Sequence, residues 1–148
     1  LVGNELVTHI RSEQIIDREF KTKGSKLDVK ILPGHQSELI NNIYVVTTPE
    51  GFTFAHIGDQ YNEEDLTWLF DVKTKIPALD VLLINCWANR LSDTIEGFDP
   101  KFVITGHENE LGHAIDHRES YWTSFIKLED VKRPSCLMTW GETYWYKR

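Results

Sequence analysis

Asp80 to Asn85 (DVLLIN) and Lys101 to Thr105 (KFVIT) are short, almost unbroken apolar runs. A strand with one wet face alternates between apolar and polar side chains. A strand that is apolar on both faces must be buried on both, as in the interior of a parallel sheet. Between the two runs, Leu91 to Gly97 reads as a short helix. Parallel neighbours need a crossover, and a helix is its usual form. The chain is therefore expected to be α/β.

The flanking segments extend the pattern. Leu27 to Leu32 alternates and stops at Pro33-Gly34, reading as a strand. Asn42 to Thr48 (NIYVVTT) and Phe52 to Ile57 form an expected hairpin around Pro49-Glu50-Gly51. Lys21 to Lys26 (KTKGSK) reads as another hairpin tip. Glu5 to Ile10 is a short strand-like stretch, and Arg11 to Phe20 a short helix or an irregular edge. Asn62 to Lys73 is expected to be a helix, with Asn62 as its cap and Leu66, Leu69 and Phe70 on one face. A polar turn from Glu108 to Asp116 precedes a helix from Arg118 to about Asp130. Two short aromatic strands follow, Cys136 to Trp140 and Thr143 to Tyr146. There is no internal repeat, and 148 residues make one domain rather than two.

Composition narrows the function classes. The net charge of −7 argues against a groove that tracks a nucleic-acid backbone, so no nucleic acid is expected as a partner. No apolar run approaches the roughly 18 residues of a membrane span, and no membrane is expected. Cys86 and Cys136 can make at most one bridge, which is no disulfide framework. Both read as core cysteines. Trp87, Tyr121, Trp122, Trp140, Tyr144, Trp145 and Tyr146 could resemble a base-stacking set. In an acidic chain, sheet packing is the better reading.

Three polar residues stand out by where they fall. His35 in Pro33-Gly34-His35, Asp59 in Gly58-Asp59 and His107 in Gly106-His107 each follow a strand and a glycine. Strand-end loops of an α/β sheet converge on one edge, where sites are built, and glycine lets the backbone turn tightly there. Two imidazoles and a carboxylate are a ligand set for zinc, or for manganese or iron in a harder site.

These residues carry a resemblance. Leu32-Pro33-Gly34-His35 resembles the third motif of the metallo-β-lactamase-fold hydrolases. Ala55-His56-Ile57-Gly58-Asp59 resembles the fourth, whose aspartate bridges two metals. Val103-Ile104-Thr105-Gly106-His107 resembles the fifth, a histidine on the second metal. The similarity runs from about Leu27 to the end. The stretch from Gly106 to Glu119 and the terminal Thr139-Trp140-Gly141-Glu142 resemble one uncharacterised subgroup. The family's His-x-His-x-Asp-His cluster is absent, since His9 is the only histidine before Pro33. The resemblance thus implies the second half of an αββα sandwich, a mixed sheet with helices on one face, forming an incomplete and inactive fragment.

For the intact family fold, the resemblance implies a two-zinc site with Asp59 as the catalytic bridge and His35, Asp59 and His107 as metal ligands. Two metals about 3.5–4 Å apart acidify a bound water, whose hydroxide attacks an ester, amide or phosphodiester of a small-molecule substrate. The isolated chain is expected to hold one metal or none. His113 and His117, four apart, and His56 are candidates for the pocket rim. His-Glu-x-x-His is not met, because Asn109 stands where its first histidine must be. Half a sandwich leaves one apolar sheet face uncovered, so a homodimer, or association with the missing N-terminal half, is expected. The alternative is a non-catalytic half-fold that serves packing or assembly.

Overall fold

The structure, a computed structural model, describes residues 16–22, 25–107, 118–138 and 141–147. The strands are β1 (Ile16–Thr22), β2 (Ser25–Leu32), β3 (His35–Gln36), β4 (Leu39–Ile40), β5 (Ile43–Thr47), β6 (Thr53–His56), β7 (Val81–Asn85), β8 (Phe102–Gly106) and β9 (Ser135–Leu137). The helices are α1 (Leu66–Leu69), α2 (Leu91–Phe98) and α3 (Arg118–Leu128). Among the described residues, seven strands form one sheet in the order β1-β2-β5-β6-β7-β8-β9. Its first four strands pair antiparallel, through the β1–β2 and β5–β6 hairpins. From β6 to β9 every pairing is parallel. The fold is α/β with a mixed sheet, and the two apolar runs are its adjacent parallel strands β7 and β8.

Register sorts the side chains onto two faces. Val45, Ala55, Leu82 and Val103 stand in line across four strands. All four are buried, in one cluster with Leu66 and Leu69 of α1, Leu91, Ile95 and Phe98 of α2 and Leu128 of α3. The three helices thus cover the same face. Each large side chain fully buried there contributes about 1.5–3 kcal/mol. At the strands' entry edge, Asp80 is 1% exposed, accepts the Thr53 N–H at 2.9 Å and pairs with Lys101 at 2.8 Å. One carboxylate thereby ties the starts of β6, β7 and β8.

The opposite face is also apolar. Val29, Val46, Phe54, Val81 and Phe102 form one row across it, and Ile31, Tyr44, His56, Leu83, Ile104 and Cys136 the next. Part of this face carries the C-terminal segment: Tyr144 stacks on Phe102 with centroids 4.9 Å apart, and Tyr146 packs against Phe102 and Phe52 at 5.9 and 5.8 Å.

Three expectations need correction. Residues 16–20, read as a helix or irregular edge, belong to β1, because β2 offers them a complete antiparallel partner. The helix from Asn62 to Lys73 is broken into a 3₁₀ turn (Glu63–Asp65), α1 and a second 3₁₀ turn (Val72–Thr74). Asn62 does not cap it, since its side chain binds the Ser37 N–H and C=O at 2.7 and 2.8 Å. Thr143 to Tyr146 is not a strand: Tyr144 stacks on Phe102 and Tyr146 packs at a tilt against Phe52 and Phe102, rather than extending the ladder. Glu5 to Ile10, the turn from Glu108 to Asp116 with its His113, His117, and Trp140 lie outside the described residues. Among the described residues, no helix is long and apolar enough to cross a membrane.

Candidate functional site

β2 runs parallel to β6, because β5 pairs antiparallel with both. The ends of β2, β6, β7 and β8 therefore lie on one edge of the sheet. His35, Asp59 and His107 follow three of those ends, as their spacing implies. Strands stand about 4.8 Å apart, so β6 is separated by two strand spacings from β2 on one side and from β8 on the other. What closes each gap is different.

On the β8 side, Asp59 and His107 reach over the end of β7. His107 Nε2 lies 3.6 Å from Asp59 Oδ1, with the two side chains 41% and 44% exposed. That is an ion-pair distance, too long for a hydrogen bond. They flank a cleft of about 220 Å³ whose walls include His56, Leu83, Asn85 and Ile104. His56 thus stands at the cleft, as a rim residue would. Its Nδ1 accepts the Gly58 N–H at 2.9 Å, which places the proton of the neutral ring on Nε2.

On the β2 side, His35 turns to a different carboxylate and is not among the residues lining the cleft. Its Nδ1 lies 3.0 and 3.1 Å from the two oxygens of Asp65. Asp65 is 4% exposed and also accepts from Gln60 Nε2 at 2.8 Å and Trp68 Nε1 at 3.2 Å. Gln60 in turn accepts the His35 backbone N–H at 2.6 Å, and His35 C=O accepts from the Tyr61 N–H at 3.0 Å. The loop after Asp59 is thereby fastened to the loop after β2. Asp65 and Gln60 carry no signal in the sequence: Asp65 falls inside the expected helix and Gln60 directly follows Asp59, and only folding brings them to His35.

Asn41 is a third unforeseen residue. Its Oδ1 accepts the Asp59 N–H at 3.1 Å and its Nδ2 donates to Ile57 C=O at 2.8 Å, bracing the turn that presents Asp59. Gly58 in that turn has φ +56°, and a Cβ there would stand 2.6 Å from Asn41 Oδ1. A Cβ on Gly34 would stand 2.5 Å from Gln60 Oε1 and 2.6 Å from Asn41 C=O. Glycine before Asp59 and before His35 is thus required. Before His107 it is not: Gly106 has open space, and His107 itself takes the left-handed backbone, at φ +72°.

A carboxylate oxygen and an imidazole nitrogen on one tetrahedral zinc, bound at about 2.0–2.1 Å, stand roughly 3.4 Å apart. The 3.6 Å between Asp59 and His107 suits two ligands of a single ion. The Asp65–His35 pair has the carboxylate–imidazole form that orients metal-binding histidines through their second nitrogen. Among the described residues, however, no group of three or more His, Cys, Asp or Glu side chains is gathered closely enough to hold a metal ion. Cys86 and Cys136 are not joined in a disulfide. Burial, and secondarily the charge of Glu142, pushes the Cys136 thiol above its ordinary range, which makes it a poor nucleophile near neutrality. Compared with protein-family models and with curated proteins, the chain matches none.

Proposed function

We propose that this chain belongs to a metal-dependent hydrolase of the metallo-β-lactamase type, with Asp59 and His107 as ligands of a zinc, manganese or iron ion and His35 as a further ligand. The observation that carries the reading is the approach of Asp59 to His107 at the C-terminal edge of parallel strands, where α/β sheets build their sites. A bound divalent ion supplies Lewis-acid chemistry, acidifying water and polarising a carbonyl or phosphoryl oxygen. The chain's own residues do the rest. Asn41 fixes the turn that aims Asp59, and Asp65 sets the ring of His35. His56 offers an N–H donor at the cleft wall, in reach of a polar substrate atom. The substrate is a small ester, amide or phosphodiester.

The rival reading is a non-catalytic module that serves packing or assembly. What favours it is that, among the described residues, ligands gather as a pair rather than a set. Elemental mass spectrometry on protein purified without chelator separates the two. About one metal ion per chain, lost in Asp59→Ala and in His107→Ala, is expected. A total content of zinc, manganese and iron that is nil, or unchanged by both substitutions, would falsify the metal reading. Assays with an aryl ester and a bis-aryl phosphodiester then report whether the bound ion turns over.

A further inference from the structure

A second cavity, of about 530 Å³, opens beside the Asp59–His107 cleft, and Tyr61, Trp87, Asn89, Arg90, Asp93 and Lys127 lie in its walls. Its volume is in the range of small-molecule sites. The walls of the two spaces are tied together by hydrogen bonds of Trp87. The indole Nε1–H donates to the His107 C=O at 3.0 Å, and the Trp87 backbone N–H donates to Asn85 Oδ1 at 2.7 Å. Tyr61 is two residues beyond Asp59, and its C=O accepts from Asn89 Nδ2.

The walls have a definite chemistry. Tyr61 is 50% and Trp87 38% exposed, so both rings are open to solvent at this cavity. Trp87 is nevertheless held rigidly. Its edge is hydrogen-bonded, and Lys127 Nζ sits 4.9 Å from the ring centroid while donating to Cys86 C=O at 2.9 Å. Arg90 is anchored by its Nε to Asp93 at 2.8 Å, with its guanidinium carbon 4.7 Å above the Phe70 ring. That anchoring leaves the guanidinium's outer N–H groups for a ligand. Arg90 also adopts φ +47° at the start of α2, a left-handed position that glycine or asparagine fills at lower cost. Strain of this kind collects where a side chain is needed in a set place. Arg90 and Lys127 against Asp93 leave one net positive charge on the wall of a chain whose overall charge is −7.

We infer that this cavity binds a flat aromatic ring bearing a single negative charge, an aryl carboxylate. The aromatic walls take the ring, and Arg90 and Lys127 take the carboxylate, for which guanidinium offers a two-pronged match. One net wall charge suits a monoanion better than a phosphate dianion. As the subsite of the hydrolase proposed above, on which this assignment of role rests, it would hold the acidic aromatic end of a substrate with the scissile group over Asp59 and His107.

The test is a titration followed by the indole N–H signals in two-dimensional NMR, with EDTA present so that metal plays no part. Trp87→Phe identifies the signal of Trp87. With 2-naphthoate, a saturable shift of that signal is expected. Methyl 2-naphthoate, the same ring without charge, should bind about tenfold more weakly or less, as should naphthoate to Lys127→Met and to Arg90→Met. Arg90→Met alters an exposed cationic end, Lys127→Met also removes the bond to Cys86 C=O, and the undisturbed remaining indole signals report that both variants fold. Naphthoate that shifts nothing up to millimolar concentration overturns the proposal. So does an ester that binds as well as the acid, or 2-naphthyl phosphate binding more tightly than naphthoate. Because metal is excluded, zinc uptake without a naphthoate response sinks the subsite alone. A naphthoate response without uptake of zinc, manganese or iron sinks the hydrolase reading and leaves the binding site.

Discussion

At the scale of single residues, the most informative feature is the backbone of His107. A side chain with a Cβ costs roughly 1–2 kcal/mol in the left-handed region, and His107 stands there at φ +72° beside a glycine that does not. The imidazole is placed over Asp59 at the expense of local strain. This yields a comparison in which both variants lose the imidazole and only one loses the strain. His107→Gly is expected to be about 1 kcal/mol more stable than His107→Ala, read as the difference in urea midpoints. Equal midpoints would mean that the backbone there is unstrained. The strand-end glycine pattern was legible in the sequence, and its meaning was two-thirds legible. Gly34 and Gly58 are demanded by backbone and side-chain atoms of Asn41 and Gln60. Those partners lie outside any local window, so neither Asn41 nor Gln60 stands out in the sequence.

At the scale of elements, the segment from Gln60 to Phe70 is where local periodicity misleads. Leu66 and Leu69 do face the core together, as their spacing implies. The helix is nevertheless short, because its neighbours in sequence are drawn into bonds with distant loops. Asn62 leaves the cap position for Ser37, and Asp65 is buried to meet His35, Gln60 and Trp68. A helix read from sequence weighs only its own turns, whereas these polar residues answer to a loop some 25–30 positions away. Asp65 is consequently the element's fastening. Asp65→Ala removes the acceptor shared by three donors and should cost about 2–4 kcal/mol. Asp65→Asn retains one carbonyl oxygen and should cost less. Urea unfolding of the two variants measures this, and an Ala variant within about 0.5 kcal/mol of the parent would dismiss the network as incidental.

At the scale of the whole molecule, the α/β class and the buried parallel pair were readable because burial on both faces leaves a direct trace in the sequence. The covering of the second face was not readable. Thr143 to Tyr146 is aromatic as a short strand can be, and nothing local says that Tyr144 will stack on Phe102 and Tyr146 pack at a tilt against Phe52 rather than pair along an edge. Those rings shield apolar residues that otherwise meet water or another surface, and each aromatic pair, stacked or tilted, adds about 0.5–1.5 kcal/mol beyond the area it buries. Replacing both Tyr144 and Tyr146 by Ser should therefore do two things at once. Stability should fall by roughly 2–3 kcal/mol, and the uncovered face should draw copies of the chain together, seen as a rise in weight-average sedimentation coefficient with concentration. A double variant that is less stable yet sediments like the parent would show that the tyrosines contribute packing energy without guarding the face. One unchanged in both respects would show that the segment does not rest there in solution.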